Sequence, residues 1–355
     1  MAVDLFNART MYEMVREGFT SNHAWLRDRF FANRPTFVTK TVEFDVVGRG
    51  NRKIAPFVNP RIGGKAVDRE GYRTKVYEAP EVSPMMITTA EDLLKRLPGE
   101  NPYSGQDPNT RAAEQLARDM IELDALITRR EEAMCAEALF TGKVTVKGDG
   151  YNEVIDFWND LEEGEKPEQT LTTKWDAQGT TYKTIMDDLR KLRLNMIQRA
   201  GFTPSEIILG SKVLNTVLDK LMEAAVLDMR RVDMGQIEPS HLPQGVTYWG
   251  RLKDCGLDLY SYDNWYSDPD TGEEVAMVPE DKALLAAPGV RTMLAYGACG
   301  LIGSDGVQLV SGARVPDSWV QRASPAGRVV QIKSRPLPII QQVLGFTVVN
   351  PLTAD

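Results

Sequence analysis

The chain has 355 residues, 42 % hydrophobic and 26 % charged, which are ordinary proportions for a soluble globular protein. Forty-two Lys and Arg against fifty Asp and Glu give a net charge of −8, which argues against a sequence-specific DNA binder with a basic face. Two histidines and three scattered cysteines (Cys135, Cys255 and Cys299), with no C-x-x-C, argue against a zinc enzyme and a disulfide framework.

The opening MAVDLFNARTMYEMVREGFT carries acids early and has no apolar stretch, so it does not read as a signal peptide. No run approaches the roughly 18 apolar residues of a membrane span. The expected setting is the cytoplasm, or release by lysis. Ala8–Glu17 has a short amphipathic helical pattern with Met11, Tyr12 and Val15 on one side, and Arg27–Pro35 follows as an aromatic arm. In Thr36–Val47, Val42, Phe44 and Val46 alternate with Thr41, Glu43 and Asp45, the pattern of a half-buried strand. A Gly-, Arg- and Lys-rich stretch then leads to a second strand-like run at Arg73–Glu78. Phe37–Ala79 as a whole reads as a long two-stranded excursion.

Asp107 and Pro108 open a helix as N-cap and first helical residue, and Gly142 closes it after Thr141. Its apolar stripe is Leu116, Met120, Leu123, Ile127, Met134 and Ala138. At 1.5 Å per residue the helix spans about 50 Å, the length of a structural spine. Lys143–Phe157 reads as a hairpin, and acidic Trp158–Gly179 as a surface insertion. Tyr182–Arg199 is a second helix. Glu206–Gly210 is a buried strand that feeds a helix at Ser211. Strands are expected at Val246–Gly250, Leu257–Tyr262 and Glu274–Val278. Two β-rich runs, separated by Pro336 and Pro338, fill Val329–Val349. Helices and strands are mixed without strict alternation, so the class is α+β.

Catalytic signals fail one by one. RIGGK ends in Gly63-Gly64-Lys65, but Ala66 stands where a phosphate loop needs Ser or Thr. GSDG at Gly303–Gly306 lacks nucleophile-elbow spacing and reads as a turn. Asp268, Asp270 and Gly272 suit a hairpin tip better than a calcium loop. The neighbouring carboxylates Glu131 and Glu132 read as a solvated helix face rather than an acid–base dyad. No metal, cofactor or catalytic residue is assigned, and the chain is not expected to be an enzyme.

One charge feature stands out. Between Gly48 and Val76 there are eight basic residues: Arg49, Arg52, Lys53, Arg61, Lys65, Arg69, Arg73 and Lys75. Only Asp68 and Glu70 oppose them, for a net +6 on a chain of −8. The long helix is acidic past its cap, through Glu114, Asp119, Glu122, Asp124, Glu131, Glu132 and Glu137. The basic loop could lie on another copy, with Glu114, Glu122 and Glu131 as candidate contacts. Charge alone leaves open a loop kept soluble or one lying on nucleic acid.

Several segments carry a resemblance: WLRDRFF at Trp25–Phe31, FVNPRIGGK at Phe57–Lys65, YEAPEVSP at Tyr77–Pro84, KRLPGENPYS at Lys95–Ser104 and the DPNTRAAEQLARDM that follows. Near the C-terminus GARVPDSWV at Gly312–Val320 and IKSRPLPII join them. In this order they resemble the tailed-phage major capsid protein E family, that of the lambda head protein, with its Hong Kong 97-type fold. The resemblance covers most of the chain and is weakest at Asp156–Gly179 and Val226–Asp281. It implies an N-terminal arm (1–36), an extended β-hairpin loop (37–79), and a peripheral domain (80–178) with spine helix 107–141. An axial domain (179–300) and a return to the peripheral domain (301–355) complete it. It also implies a shell protein that forms the hexamers and pentamers of an icosahedral head around double-stranded DNA. The implied partners are copies of itself, a separate scaffold, a head-maturation protease, a portal protein, in some cases a decoration protein, and DNA held non-specifically on the inner face. A membrane is not among them. The virion capsid, and the host cytoplasm during assembly, would be its location. A nanocompartment shell of the same fold and an enzyme with an unrecognised site are the alternatives.

Overall fold

The computed structural model describes residues 24–47, 54, 55, 57, 72–95, 107–148, 151–159, 161, 166–227, 240–252, 254–303, 306–324 and 326–353. The chain divides into two compact units. The first comprises Met1–Val42, Val76–Cys135 and Met293–Ile339, and the second Glu43–Lys75, Ala136–Thr292 and Ile340–Asp355.

In the first unit the helices are α1 (Trp25–Phe30), α2 (Ala90–Leu94) and most of α3 (Pro108–Thr141). In the described part of the arm, Trp25–Phe30 is a short helix with Leu26 and Arg27 buried. Beyond Phe31 the arm extends. The amides of Leu294 and Tyr296 donate to Asn33 O and Pro35 O, and the Phe37 amide donates back to Tyr296 O.

The α3 helix has the predicted bounds, and all six stripe residues are buried. Its Leu116, Met120, Leu123 and Ile127 pack on Val330 and Ile332, with Val82 and Met86 alongside. Those partners come from an antiparallel three-stranded sheet, Val315–Gln321, Gly327–Lys333 and Met85–Thr89, and its edges. Alternation presents one side of the central strand to the helix. The Thr292–Tyr296 strand pairs with Pro336–Ile340. The two prolines therefore lie within a strand of a two-stranded sheet, where a missing N–H can face away from the partner. The expected division of Val329–Val349 into two runs is thereby corrected to three strands.

The second unit is built on a seven-stranded mixed sheet. Its strand order is Glu168–Gln169, Phe346–Val349, Ala283–Ala286, Glu206–Leu209, Leu257–Tyr262, Val246–Leu252 and Ser240–Leu242. Helices α4 (Tyr182–Ala200) and α5 (Ser211–Leu227) contribute Ile185, Leu189, Leu192, Val213 and Val217 to one core with Ile207, Leu209, Leu257 and Leu285. Strands Ala283–Ala286 and Phe346–Val349 are buried along their whole length, so both of their faces are covered. The stretch read as a surface insertion is not wholly one. Trp175 and Leu171 belong to this core, and Glu168–Gln169 pairs parallel with Val348 and Val349.

Left-handed glycines close the two longest described helices, Gly142 after α3 (φ +68°) and Gly201 after α4 (φ +78°). Gly142 has a second reason: a Cβ there would stand 2.0 Å from the Trp158 ring. Hairpin Lys143–Gly148/Tyr151–Asp156 and ribbon Thr41–Val47/Tyr72–Glu78 form as read from the sequence. On the ribbon, Val42, Phe44 and Val46 are buried.

Candidate assembly surfaces and the buried charge centre

Of the basic loop residues, Arg49, Arg52, Lys53, Arg61, Lys65 and Arg69 lie outside the described residues, as do Gly63 and Gly64. Arg73 is exposed on the second ribbon strand. Lys75 is half-buried, and its Nζ donates to Phe157 O at 3.3 Å. The loop residues Ile54 and Phe57 are fully open, at 91 % and 106 % exposure.

The spine helix is not the acidic face its composition suggests. Of its seven acids past the cap, Glu122 is exposed and Glu114 half-buried, and both stay accessible. The other five are engaged within the subunit. Asp119 accepts from Gln115 Nε2 at 2.6 Å and Thr88 Oγ1 at 3.3 Å. Asp124 accepts from Arg314 Nε at 2.6 Å, and Glu137 from the Thr145 amide at 3.0 Å and its hydroxyl. Glu131 and Glu132 are completely buried, which overturns the reading of this pair as a solvated face. Glu131 is thereby withdrawn as a docking candidate, since it has no surface to offer another copy. Arg118 and Arg129 are exposed on the same helix, and Arg111 and Arg130 half-buried. Asp124 and Glu137 are half-buried as well, so by exposure four acids and four arginines reach the surface of this helix, and its charge there is balanced.

Glu131 is the hub of a buried ion centre within the first unit. Its Oε2 accepts from Arg27 Nη1 at 2.8 Å and Arg314 Nη2 at 3.1 Å. Its Oε1 accepts from Arg314 Nη1 at 2.5 Å and the Tyr296 hydroxyl at 3.0 Å. Glu132, pointing another way as adjacent helical residues must, accepts the amides of Leu26 and Arg27 through Oε1 and Oε2, each at 2.8 Å. It thus caps the start of α1, supplying acceptors to two amides that a helix leaves unpaired. The arm and the segment at Arg314 are both tied to α3.

Electrostatics follow from this geometry. Burial opposes ionisation of Glu131, but the Arg314 and Arg27 guanidiniums beside it outweigh burial and hold it below the usual carboxylate range. Burial, then the Glu131 charge, pushes the Tyr296 phenol up. Burial and the charges of Glu132 and Glu131 push the Cys135 thiol well up. Three free cysteines, all buried, therefore sit in the fold, with Cys299 pushed up to about 11 by burial and then Glu81. A neutral, buried thiol is a poor nucleophile. A further buried guanidinium, Arg335, donates to Glu81 through Nη2 at 2.6 Å and Nε at 3.1 Å and to Ala79 O at 3.4 Å. Arg27, Arg314 and Arg335 each rest against carboxylates, which is the arrangement of structural pins.

The Asp268–Gly272 segment forms the tip of hairpin Trp265–Ser267/Glu274–Ala276, where the Asp270 amide bonds Asp268 Oδ1 at 2.9 Å. His241 pairs with Thr247 Oγ1 at 3.2 Å. His23 lies outside the described residues. No described helix is long and apolar enough to cross a membrane.

Comparison with known proteins follows the same lines. The profile of the phage major capsid protein E family matches residues 8–345. The major capsid protein of Escherichia phage lambda is 24 % identical over 320 residues, covering 88 % of this chain and 89 % of the relative. That of Enterobacteria phage phi80 is 24 % identical over 329 residues, covering 90 % and 92 %. Among solved structures, a prophage capsid protein of Escherichia coli CFT073 superposes with a TM-score of 0.69 at 20 % identity, over 98 % of this chain and 99 % of its own. That likeness gives the Hong Kong 97-type capsid fold, α+β. The chain belongs to the phage major capsid protein E family.

Proposed function

We propose that this chain is the head-forming subunit of a tailed phage or prophage, assembling as hexamers and pentamers into an icosahedral shell around double-stranded DNA. The observation that carries the reading is the single family match running through residues 8–345. The unit holding the seven-stranded sheet is read as the axial domain, and the unit holding most of α3 as the peripheral domain. The subunit works by shape and contact; its buried carboxylates are committed to ion pairs and hydrogen bonds instead of chemistry.

The extended loop is read as the arm that reaches a neighbouring copy. Its fully exposed Ile54 and Phe57 support this, because apolar side chains that open gain by being covered. Arg49, Arg52, Lys53, Arg61, Lys65, Arg69, Arg73 and Lys75 bring charge to that contact, with Glu114 and Glu122 as the accessible acids on the spine. A separate scaffold, a protease, a portal and, where present, a decoration protein complete the expected partners. DNA is held non-specifically, and the location is the virion, after assembly in the host cytoplasm. A nanocompartment shell of the same fold would differ in its cargo, and the phage sequence relatives favour DNA. Size-exclusion chromatography with negative-stain microscopy tests the reading. Closed particles of uniform radius are expected, and a 39.6 kDa monomer at every concentration would contradict it.

A further inference from the structure

A ribbon in the first unit stands apart from every core described above. Cys299–Gly303 pairs antiparallel with Gly306–Val310 in a sheet of only two strands. At its base Cys299 is buried and Lys333 Nζ donates to Gly300 O at 3.2 Å. Towards its tip the side chains open. Ile302 faces Val307 across the pair, and Leu309 faces Gly300 two residues along, so all lie on one face. Their exposures are 84 %, 77 % and 58 %. Together they show on the order of 300 Å² of contiguous apolar surface, the scale of an interaction patch.

We propose that this ribbon face docks on a second copy of the chain and is covered only in the assembled shell. The inference rests on the capsid reading and names one of its contact surfaces. Three observations select the occupant. None of the described ribbon residues is charged, in a chain where 26 % are. Nucleic acid, which binds through phosphate neutralisation, finds no cation among these described strand residues. The described ribbon residues likewise give a partner recognised by charge no ion to pair with, and they favour an apolar surface on another copy. The area is also well short of the roughly 800 Å² per partner of a standard pairwise interface. The contact therefore suits an assembly in which a small patch is repeated on every subunit, and it is too small to hold a free dimer. Lastly, a two-stranded ribbon is marginal in water, and among the described residues no third strand joins this one. Packing against a neighbour supplies what its own subunit does not.

Two variants of the full chain test this. Val307→Cys places a thiol at an open position, and the native Cys135, Cys255 and Cys299 are buried, so background labelling is low. Maleimide should label the introduced thiol in free subunits and be slowed at least about tenfold in purified particles, since access governs thiol reactivity. Equal labelling rates in the two states would overturn the inference and leave the shell reading standing, with the ribbon open to another kind of partner. The double variant Ile302→Lys with Val307→Lys should give folded subunits, by circular dichroism, and particle yield reduced at least about tenfold, because paired lysines meet at the contact. Particles at the unsubstituted yield would contradict it. If the unsubstituted chain forms no particles, the shell reading falls and this inference with it.

Discussion

Replacing Glu131 by Ala removes the acceptor for three guanidinium N–H groups, one from Arg27 and two from Arg314, and for the Tyr296 hydroxyl. Two buried cations then face one another across the space the carboxylate filled. Breaking a buried pair from one side costs about 3–5 kcal/mol. Arg314 keeps Asp124 at 2.6 Å and Arg27 keeps Asp28 at 3.0 Å, so the loss belongs near the lower end, about 3 kcal/mol. In urea unfolding of the free subunit that lowers the midpoint by about 1 M or more, with a slope of about 1–3 kcal/mol per M. Glu122→Ala, on the exposed side of the same helix, should stay within about 0.5 kcal/mol. Acidity gives a second signature. The folded-state pKa of Glu131 is depressed, so its stabilisation is present above the ordinary value of 4.5 and fades as pH falls below it towards the folded pKa. Glu131→Gln should therefore flatten the acid limb of stability against pH. If Glu131→Ala unfolds within about 0.5 kcal/mol of the parent, the account of Glu131 as the pin between the arm and the spine is wrong.

Other substitutions probe separate parts of the account. Leu123→Asp puts a charge in the helix–sheet core and should cost several kcal/mol, on the order of an unpaired buried charge; a normally melting variant would refute the packing of α3. Gly142→Ala should lose about 2 kcal/mol or more in chemical denaturation, through left-handed strain and the Trp158 clash. Gly179→Ala shares the positive φ but meets nothing within 4 Å, so a loss as large there would show that the ring contact adds nothing. Reversing Arg49, Arg52 and Arg73 to Glu should block particle formation and leave folded subunits, with the parent's assembly slowed by salt as screening shortens to about 8 Å. Near-normal particles from that variant at low salt would mean that the loop is held by shape and backbone pairing alone.

What the sequence made legible is local. The stripe of α3, its Pro108 start and Gly142 stop, the Val42–Phe44–Val46 alternation and the two helices of the second unit all follow from spacing, because each element buries one of its own faces. Glu131 escaped that logic. Its partners lie 104, 165 and 183 residues away, so nothing in its neighbourhood distinguishes it from a solvated glutamate. A fold in which one chain returns twice to the same helix produces such contacts, and they show only in three dimensions. Trp175 was obscured by its acidic surroundings, although a lone tryptophan among polar residues is itself a signal of burial. Pro336 and Pro338 look like breaks, yet a strand paired on one side tolerates them. The ribbon at Cys299–Val310 is read from the sequence only at its Gly303–Gly306 turn. Its exposure depends on which other strands fail to join it.

The central claim is that copies of this chain close into a shell, and cryo-electron microscopy of the purified particle tests it most directly. The account predicts a closed icosahedral shell with this fold repeated in hexamers and pentamers and the extended loop lying over a neighbouring subunit. Monomers or open aggregates, with no closed lattice under any assembly condition, would contradict it.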